Sequence, residues 1–145
     1  MSTFKLKNFT TWSSRDLCKL FTLICKHEGY FPNIIEVVNA RKQVKNWAII
    51  SGIAVVDGSW VRMRLPNKVQ VIEYVSGSDG KLRAIIPPIG IYQKLYKDVI
   101  KKIAQIFIHE LGHNLGLMHR EMIDYKKINV DYVKGIIIHR RGAEK

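Results

Sequence analysis

The sequence predicts an α+β domain, in which a mixed, mostly antiparallel sheet packs on an N-terminal helix and a long central helix. The order of patterns predicts this class: an amphipathic helix, several short β-branched segments, one long segment of helical period and a short tail. Hydrophobic residues make up 47% and charged residues 25% of the 145 residues, which excludes a disordered or fibrous chain. A chain of this length accommodates one ordinary domain.

The first predicted helix covers Arg15–His27, because its apolar residues recur at helical spacing. Ser13-Ser14 supplies the N-terminal cap, and Gly29 ends the helix. Cys18 and Cys25 lie two helical turns apart, roughly 10 Å along the axis, which is too far for a disulfide. We interpret both cysteines as small core residues of a chain from a reducing compartment.

Five short segments between residues 34 and 86 have the composition of β-strands. They are Ile34–Val38, Trp47–Val56, Trp60–Leu65, Val69–Val75 and Leu82–Ile86. Asp57-Gly58 predicts a hairpin turn between the second and third segments, and residues 76–80 predict another turn. In the third segment, apolar residues alternate with Arg62 and Arg64, which predicts one basic face exposed to solvent.

The long central helix is predicted from about Ile91, where the hydrophobic period changes from two to 3.6 residues. Lysines occupy the face opposite its apolar residues: Lys94, Lys97, Lys101 and Lys102. The segment Ala104–Met118 lacks almost all charged residues on either face. We therefore expect this segment to run through the middle of the domain.

Three histidines and a glutamate lie within this segment or directly after it: His109, Glu110, His113 and His119. His109 and His113 are four residues apart, so both imidazoles project from one side of a helix and can bind one metal ion. Glu110 is rotated by about 100°, so its carboxylate can reach a water on that ion without being a ligand. A left-handed Gly116 would end the helix and return His119 as a third ligand. Three nitrogen ligands and one open position are typical of catalytic zinc.

The segment 109–119 resembles the metzincin metallopeptidases, whose signature H-E-x-x-H-x-x-G-x-x-H it matches at all five specified positions. The resemblance implies a single minimal metallopeptidase domain over residues 1–145, divided into an N-terminal subdomain (1–118) and a short C-terminal subdomain (119–145). It also implies a short C-terminal helix that begins near Ile128 with Asn129 as its cap.

The resemblance implies a methionine turn beneath the metal, for which Met122 is the candidate because it is the only methionine between His119 and Ile128. Arg120 directly follows the last ligand, which is not typical of a large metzincin subfamily. The chain is thus a compact variant whose subfamily stays open.

The leading hypothesis is a zinc-dependent endopeptidase that uses one Zn²⁺ ion and metal-activated water, with Glu110 as general base and then general acid. Tyr125 is a candidate for a hydrogen bond to the oxyanion. The partner would be a protein or peptide substrate, bound by strand addition along Val69–Val75 or Leu82–Ile86.

The 24 Lys and Arg residues against 12 Asp and Glu give a formal net charge of +12, which attracts nucleic acid, anionic membranes or an acidic partner. One alternative is therefore a DNA-associated protease with a basic tether. The candidate contacts are Arg62, Arg64, Lys94, Lys97, Lys101 and Lys102. The plainer interpretation of the four lysines is a solvated helix face.

Two further alternatives stay open. A non-enzymatic nucleic-acid-binding domain with structural zinc would require a fourth protein ligand, for which Glu121 and Asp124 are candidates. A hydrolase acting on a non-peptide amide would use the same water chemistry.

The cellular location of the protein is predicted from the lack of two sequence features. No stretch approaches the ~18 apolar residues of a membrane-spanning helix, and residues 1–12 lack the apolar block of a secretory signal. We therefore expect a cytoplasmic protein. His139 lies in the basic tail, where we expect it to be solvated. The sequence does not predict the oligomeric state.

Overall fold

The computed structural model describes residues 3–40, 43–44, 47–48, 51–54, 59–65, 68–69, 73–85, 90–91, 94–95, 97–117 and 122–141. The described residues contain the helices α1 (Ser14–Glu28) and α2 (Lys97–Asn114), and two 3₁₀ turns, Tyr125–Lys127 and Asp131–Val133. The strands are β1 (Lys5–Asn8), β2 (Ile34–Asn39), β3 (Gln43–Val44), β4 (Trp47–Ala48), β5 (Ser51–Ala54), β6 (Trp60–Leu65), β7 (Lys68–Val69), β8 (Glu73–Ser76), β9 (Leu82–Ile85), β10 (Gly90–Ile91), β11 (Lys94–Leu95) and β12 (Ile138–His139).

Four of these strands form the main sheet, in the order β1-β2-β6-β5. β1 and β2 are parallel, β2 and β6 are parallel, and β5 is antiparallel to β6. The remaining described pairs are antiparallel: β3 with β4, β7 with β10, β8 with β9 and β11 with β12.

The predicted α+β class is confirmed, but the mostly antiparallel arrangement is partly wrong, because three neighbouring strands of the main sheet are parallel. One of the two parallel pairs involves β1, which the sequence pattern did not reveal. Its four residues, KLKN, contain a single apolar side chain. With β1 in place, α1 becomes the crossover that a parallel pair requires.

The prediction of α1 is confirmed at both ends. The Ser13 side chain accepts a hydrogen bond from the Asp16 backbone N–H, and Gly29 ends the helix in the left-handed conformation with φ 76°. Cys25 is fully buried, as predicted, but Cys18 is exposed because it lies on the outer face of the helix.

Helix α2 begins six residues later than the hydrophobic period suggested. Gly90–Ile91 pairs with β7, and Lys94–Leu95 pairs with β12. These two short stretches therefore form strands and not the first turns of the helix. Leu95 is nevertheless fully buried, which explains its place in the apolar pattern. Residues 55–58, which contain the predicted hairpin turn, lie outside the described part of the chain.

The short C-terminal helix that the resemblance implied takes the form of 3₁₀ turns. The Asn129 side chain does accept a hydrogen bond from the Asp131 backbone N–H, at 2.9 Å, but the turn that follows ends at Val133. His139 was wrongly predicted to be solvated. Both its backbone N–H and its Nδ1 lie 2.9 Å from the Asp16 carboxylate, because β12 runs alongside the start of α1.

The core lies between the main sheet and the two helices. The inward residues of β6 (Val61, Met63 and Leu65) are fully buried in one cluster with the apolar residues of α1 and α2. Phe21 and Phe107 join the helices, with ring centroids 4.6 Å apart. Within the described part of the chain, none of the helices has both the length and the hydropathy to span a membrane.

Candidate functional site

The site lies at the end of α2, where His109 and His113 face each other. Their Nε2 atoms are 3.1 Å apart and the rings are nearly perpendicular, at 87°. Among the described residues, these imidazoles and the Glu110 carboxylate form the one group of metal-binding side chains, with ligand atoms within 4.8 Å of one another. Both imidazoles are half-buried, so one side of the pair is open to solvent.

The histidine pair fits a zinc ion. Nitrogen ligands about 2.0–2.1 Å from a tetrahedral zinc lie roughly 3.4 Å from each other, close to the separation seen here. His113 Nδ1 lies 3.0 Å from the Leu117 carbonyl oxygen. Because a carbonyl oxygen only accepts, Nδ1 is the donor of this hydrogen bond, and Nε2 is the ring nitrogen that faces His109. Such a hydrogen bond on the other ring nitrogen is typical of metal-binding histidines.

The turn that supplies this carbonyl is the one predicted at Gly116, whose φ is +88°. The Leu117 backbone N–H donates to the Gly112 carbonyl at 3.0 Å, and the Gly116 N–H donates to the His113 carbonyl at 3.0 Å. This pattern closes the helix and folds Leu117 back over it. The glycine therefore both ends α2 and fixes the His113 ring.

Glu110 points from α2 toward strand β5 and is 6% exposed. A Cβ atom on Gly52 would lie 2.6 Å from the Glu110 Cγ and 3.2 Å from its Cδ. Only a residue without a side chain leaves room for the carboxylate in this position. Sequence reasoning missed Gly52, because a glycine in a strand has no local signal that names its distant neighbour.

Asn114 ties the end of α2 to the rest of the fold. Its side-chain amide donates to the Trp60 carbonyl at 3.1 Å, and its Oδ1 lies 3.4 Å from the Tyr30 hydroxyl. Burial raises the pKa of Tyr30, which keeps the phenol protonated as a donor. Asn114 directly follows His113, so these bonds hold the last turn that carries the histidines. Sequence reasoning did not single it out.

Met122 packs against the turn of α2 between the histidines. A Cβ atom on Gly112 would lie 2.7 Å from the Met122 Cε. Both residues line a cavity of about 340 Å³, together with His109, Leu111 and Leu115. Tyr125 lines a different depression, beside Lys101 and Lys102. His119, the predicted third ligand, lies outside the described residues.

Of the two predicted fourth ligands, Asp124 lies in the described part of the chain and does not join the histidines. The Asp124 carboxylate accepts a hydrogen bond from the Lys126 backbone N–H and caps the 3₁₀ turn. Asp124 is absent from the His109 group. Glu121 lies among the residues that are not described.

The six basic residues proposed as a tether do not share one surface. Arg62 and Arg64 lie on the face of β6 opposite the buried residues, and Arg62 Nε lies 2.5 Å from the Glu36 carboxylate. Lys97, Lys101 and Lys102 are exposed on α2, which packs on the other face of the sheet, and Lys94 is half-buried in β11. The arrangement gives no support to a single nucleic-acid surface built from these residues.

Comparison with known proteins gives one finding. The family model described as "Metallo-peptidase family M12B Reprolysin-like" matches residues 2–120, a span that runs from before β1 through His119. No curated protein and no solved structure gives a significant match to the chain.

Proposed function

We propose that this chain, which belongs to the reprolysin-like metallopeptidases of family M12B, is a zinc-dependent endopeptidase with His109, His113 and His119 as its metal ligands. The observation that carries the proposal is the His109–His113 pair, with the His113 Nδ1 held by the Leu117 carbonyl. The family match supports proteins or peptides as substrates, in preference to a non-peptide amide.

Zinc, when bound at these histidines, lowers the pKa of water to about 7 and polarises the scissile carbonyl. Glu110 then serves as the proton carrier of the reaction. Its carboxylate accepts the proton of the attacking water and donates it to the amine that leaves when the peptide bond breaks. General base and acid work of this kind contributes about 10²–10⁴-fold in rate. The packing of Glu110 on Gly52 supports this role, because it restricts where the carboxylate can lie.

The substrate strand is best placed along β5. Among the described residues, β5 is one of the two edge strands of the main sheet, and it is the one that contacts Glu110 of α2. Backbone hydrogen bonds of an added strand would hold an extended peptide next to the carboxylate. The segments predicted for this role, Val69–Val75 and Leu82–Ile86, lie outside the main sheet in two-stranded pairs, Val69 with Gly90 and β8 with β9.

In this proposal, residues 119–145 are the C-terminal subdomain of the peptidase. This subdomain supplies His119 as a metal ligand and the methionine that lies beneath the metal. Met122 is our candidate for the methionine turn, since it packs on Gly112 between the two described ligands. The role of Tyr125 in binding the oxyanion stays a prediction.

The test is the Glu110→Gln variant, which keeps the size of the side chain and removes its proton-carrying oxygen. We expect unchanged zinc content and a fall in kcat of about 10²–10⁴-fold on an unfolded protein substrate. The matched control is His113→Ala, which should lose both zinc and activity.

Metal analysis of the purified protein and a peptide-cleavage assay give the readouts. Normal cleavage by the Glu110→Gln variant would overturn the proposed mechanism. Zinc bound without cleavage of any protein substrate would overturn the proposed function and favour a structural metal.

A further inference from the structure

A second concave surface, here called the α1 groove, lies on the outer face of α1. Its volume is about 590 Å³, within the range of ligand-binding clefts. One wall is the exposed side of α1 from Arg15 to Lys26, and the other wall is the C-terminal segment at Lys134. The groove shares no lining residue with the cavity beside His109.

The walls of the α1 groove are cationic. Arg15, Lys19 and Lys26 recur along one stripe of the helix, and Lys134 faces them from the other wall. Among the residues that the structure describes, no Asp or Glu lines the groove. Within the described part of the chain, Lys19, Lys26 and Lys134 form no ion pair, and Arg15 Nε is 3.7 Å from the Asp16 carboxylate.

The floor of the α1 groove is apolar. Leu23, Tyr132 and Ile136 are half-buried and pack against the hydrophobic core from its outer side. The Tyr132 ring is fixed by stacking on His27, with centroids 3.9 Å apart and planes 13° apart. Burial raises the pKa of Tyr132 to about 12, so its phenol adds no negative charge to the groove.

We propose that the α1 groove binds an acidic protein segment that also carries apolar side chains. Carboxylates of such a segment would meet the four cations, while its apolar side chains would cover the floor between them. A nucleic acid would use mainly the cations, because its sugar-phosphate backbone is polar and the aromatic ring of the floor, Tyr132, already stacks on His27. The binding goes beyond peptide hydrolysis and requires neither zinc nor the site on α2.

The probe is a short fluorescein-labelled peptide in which glutamate and leucine alternate, and binding is measured by fluorescence anisotropy. We expect affinity to fall as NaCl is raised, because salt screens exposed charges. A peptide with lysine in place of glutamate should not bind. A peptide with serine in place of leucine should bind more weakly, which tests the apolar floor without changing the protein.

The variant is Lys19→Glu with Lys26→Glu, which should weaken binding by about tenfold or more because two attractions become repulsions. The matched control is Lys101→Glu with Lys102→Glu, which reverses two exposed charges on α2 and should bind as the unchanged protein does. Circular dichroism checks that both variants are folded.

Two results would overturn the proposal. One is equal binding of the glutamate–leucine peptide by both charge-reversal variants. The other is tighter binding of a fluorescein-labelled single-stranded DNA than of the peptide, with the same dependence on Lys19 and Lys26.

Discussion

Both helices pack on the same core, yet their buried polar side chains have different partners. In α1, the buried Asp16 is the third residue after the Ser13 cap, and it binds strand β12 through His139. In α2, three polar side chains are buried within the last three turns: Gln105, Glu110 and Asn114. Gln105 donates to the Ile128 carbonyl, Glu110 packs on Gly52 and Asn114 donates to the Trp60 carbonyl.

Because these partners differ, we expect substitutions in α1 to change stability and substitutions near the end of α2 to change catalysis as well. The polar contact of α1 joins the start of that helix to strand β12 and involves neither His109 nor His113. We therefore expect its loss to lower the stability of the fold without changing zinc binding or rate. In α2, the contacts of Glu110 and Asn114 lie beside the residues that would hold the zinc, whereas Gln105 binds the Ile128 carbonyl away from them. Substitutions at the Glu110 and Asn114 contacts should therefore change zinc affinity or rate as well as stability.

The largest effect should come from Gly52→Ala on β5. The added methyl group would lie 2.6 Å from the Glu110 Cγ, so the carboxylate must move. We expect kcat to fall toward the ~10²–10⁴-fold loss of a missing general base, with zinc content unchanged. Ala54→Gly is the control, because it changes the same inward face of β5 without approaching Glu110. If Gly52→Ala cleaved peptide at the normal rate, the placement of Glu110 against β5 would not matter.

A smaller effect should follow from Asn114→Ala, which removes the bonds to Trp60 and Tyr30. We expect zinc affinity to weaken about 10–100-fold, because the turn that carries His113 loses its support. Gln105→Ala is the control, since it removes another buried amide of α2 away from that turn. Competition with a zinc-binding dye measures the affinity. An equal loss in both variants would show that general destabilisation, and not the position of His113, is responsible.

The smallest effect on function should come from Asp16→Asn in α1. Burial by itself raises the pKa of Asp16, but hydrogen bonds from the backbone and ring of His139 outweigh it and lower the pKa below 3.8. The carboxylate therefore stabilises the fold above that pH, and this contribution is lost as the pH falls through the lowered pKa. We expect the variant to be less stable at pH 7 by about 1–3 kcal/mol, with unchanged kcat and zinc content.

Urea unfolding at pH 7 and in acid tests this prediction. The difference in free energy of unfolding between Asp16→Asn and the unchanged chain should shrink in acid, where both lack the charge. Asp131→Asn, which alters an exposed carboxylate, should change stability by less than about 0.5 kcal/mol. A loss of activity in Asp16→Asn at pH 7 would contradict the separation between the two helices.

Errors in the predicted fold occurred where distant segments meet. The start of α2 was misplaced because Lys94–Leu95 has the apolar period of a helix but pairs with Ile138–His139 as a strand. β1 was missed because four mostly polar residues carry no strand pattern, although their parallel pairing with β2 sets the sheet topology. His139 was placed in solvent because nothing in its neighbourhood along the chain indicates Asp16, 123 residues away.

The sequence by itself determined the features that depend on neighbours along the chain. These are the capped helix α1, the four-residue spacing that brings His109 and His113 together, and the left-handed turn at Gly116. Helical geometry repeats every 3.6 residues, so spacing alone defines which side chains share a face. Tertiary structure alone decided that Glu110 lies on Gly52 and that Asn114 reaches Trp60. Such contacts depend on which strands pair and how the helices pack on them. The pairing and packing are decided by the total free energy of all contacts in the core, which neighbours along the chain do not reveal.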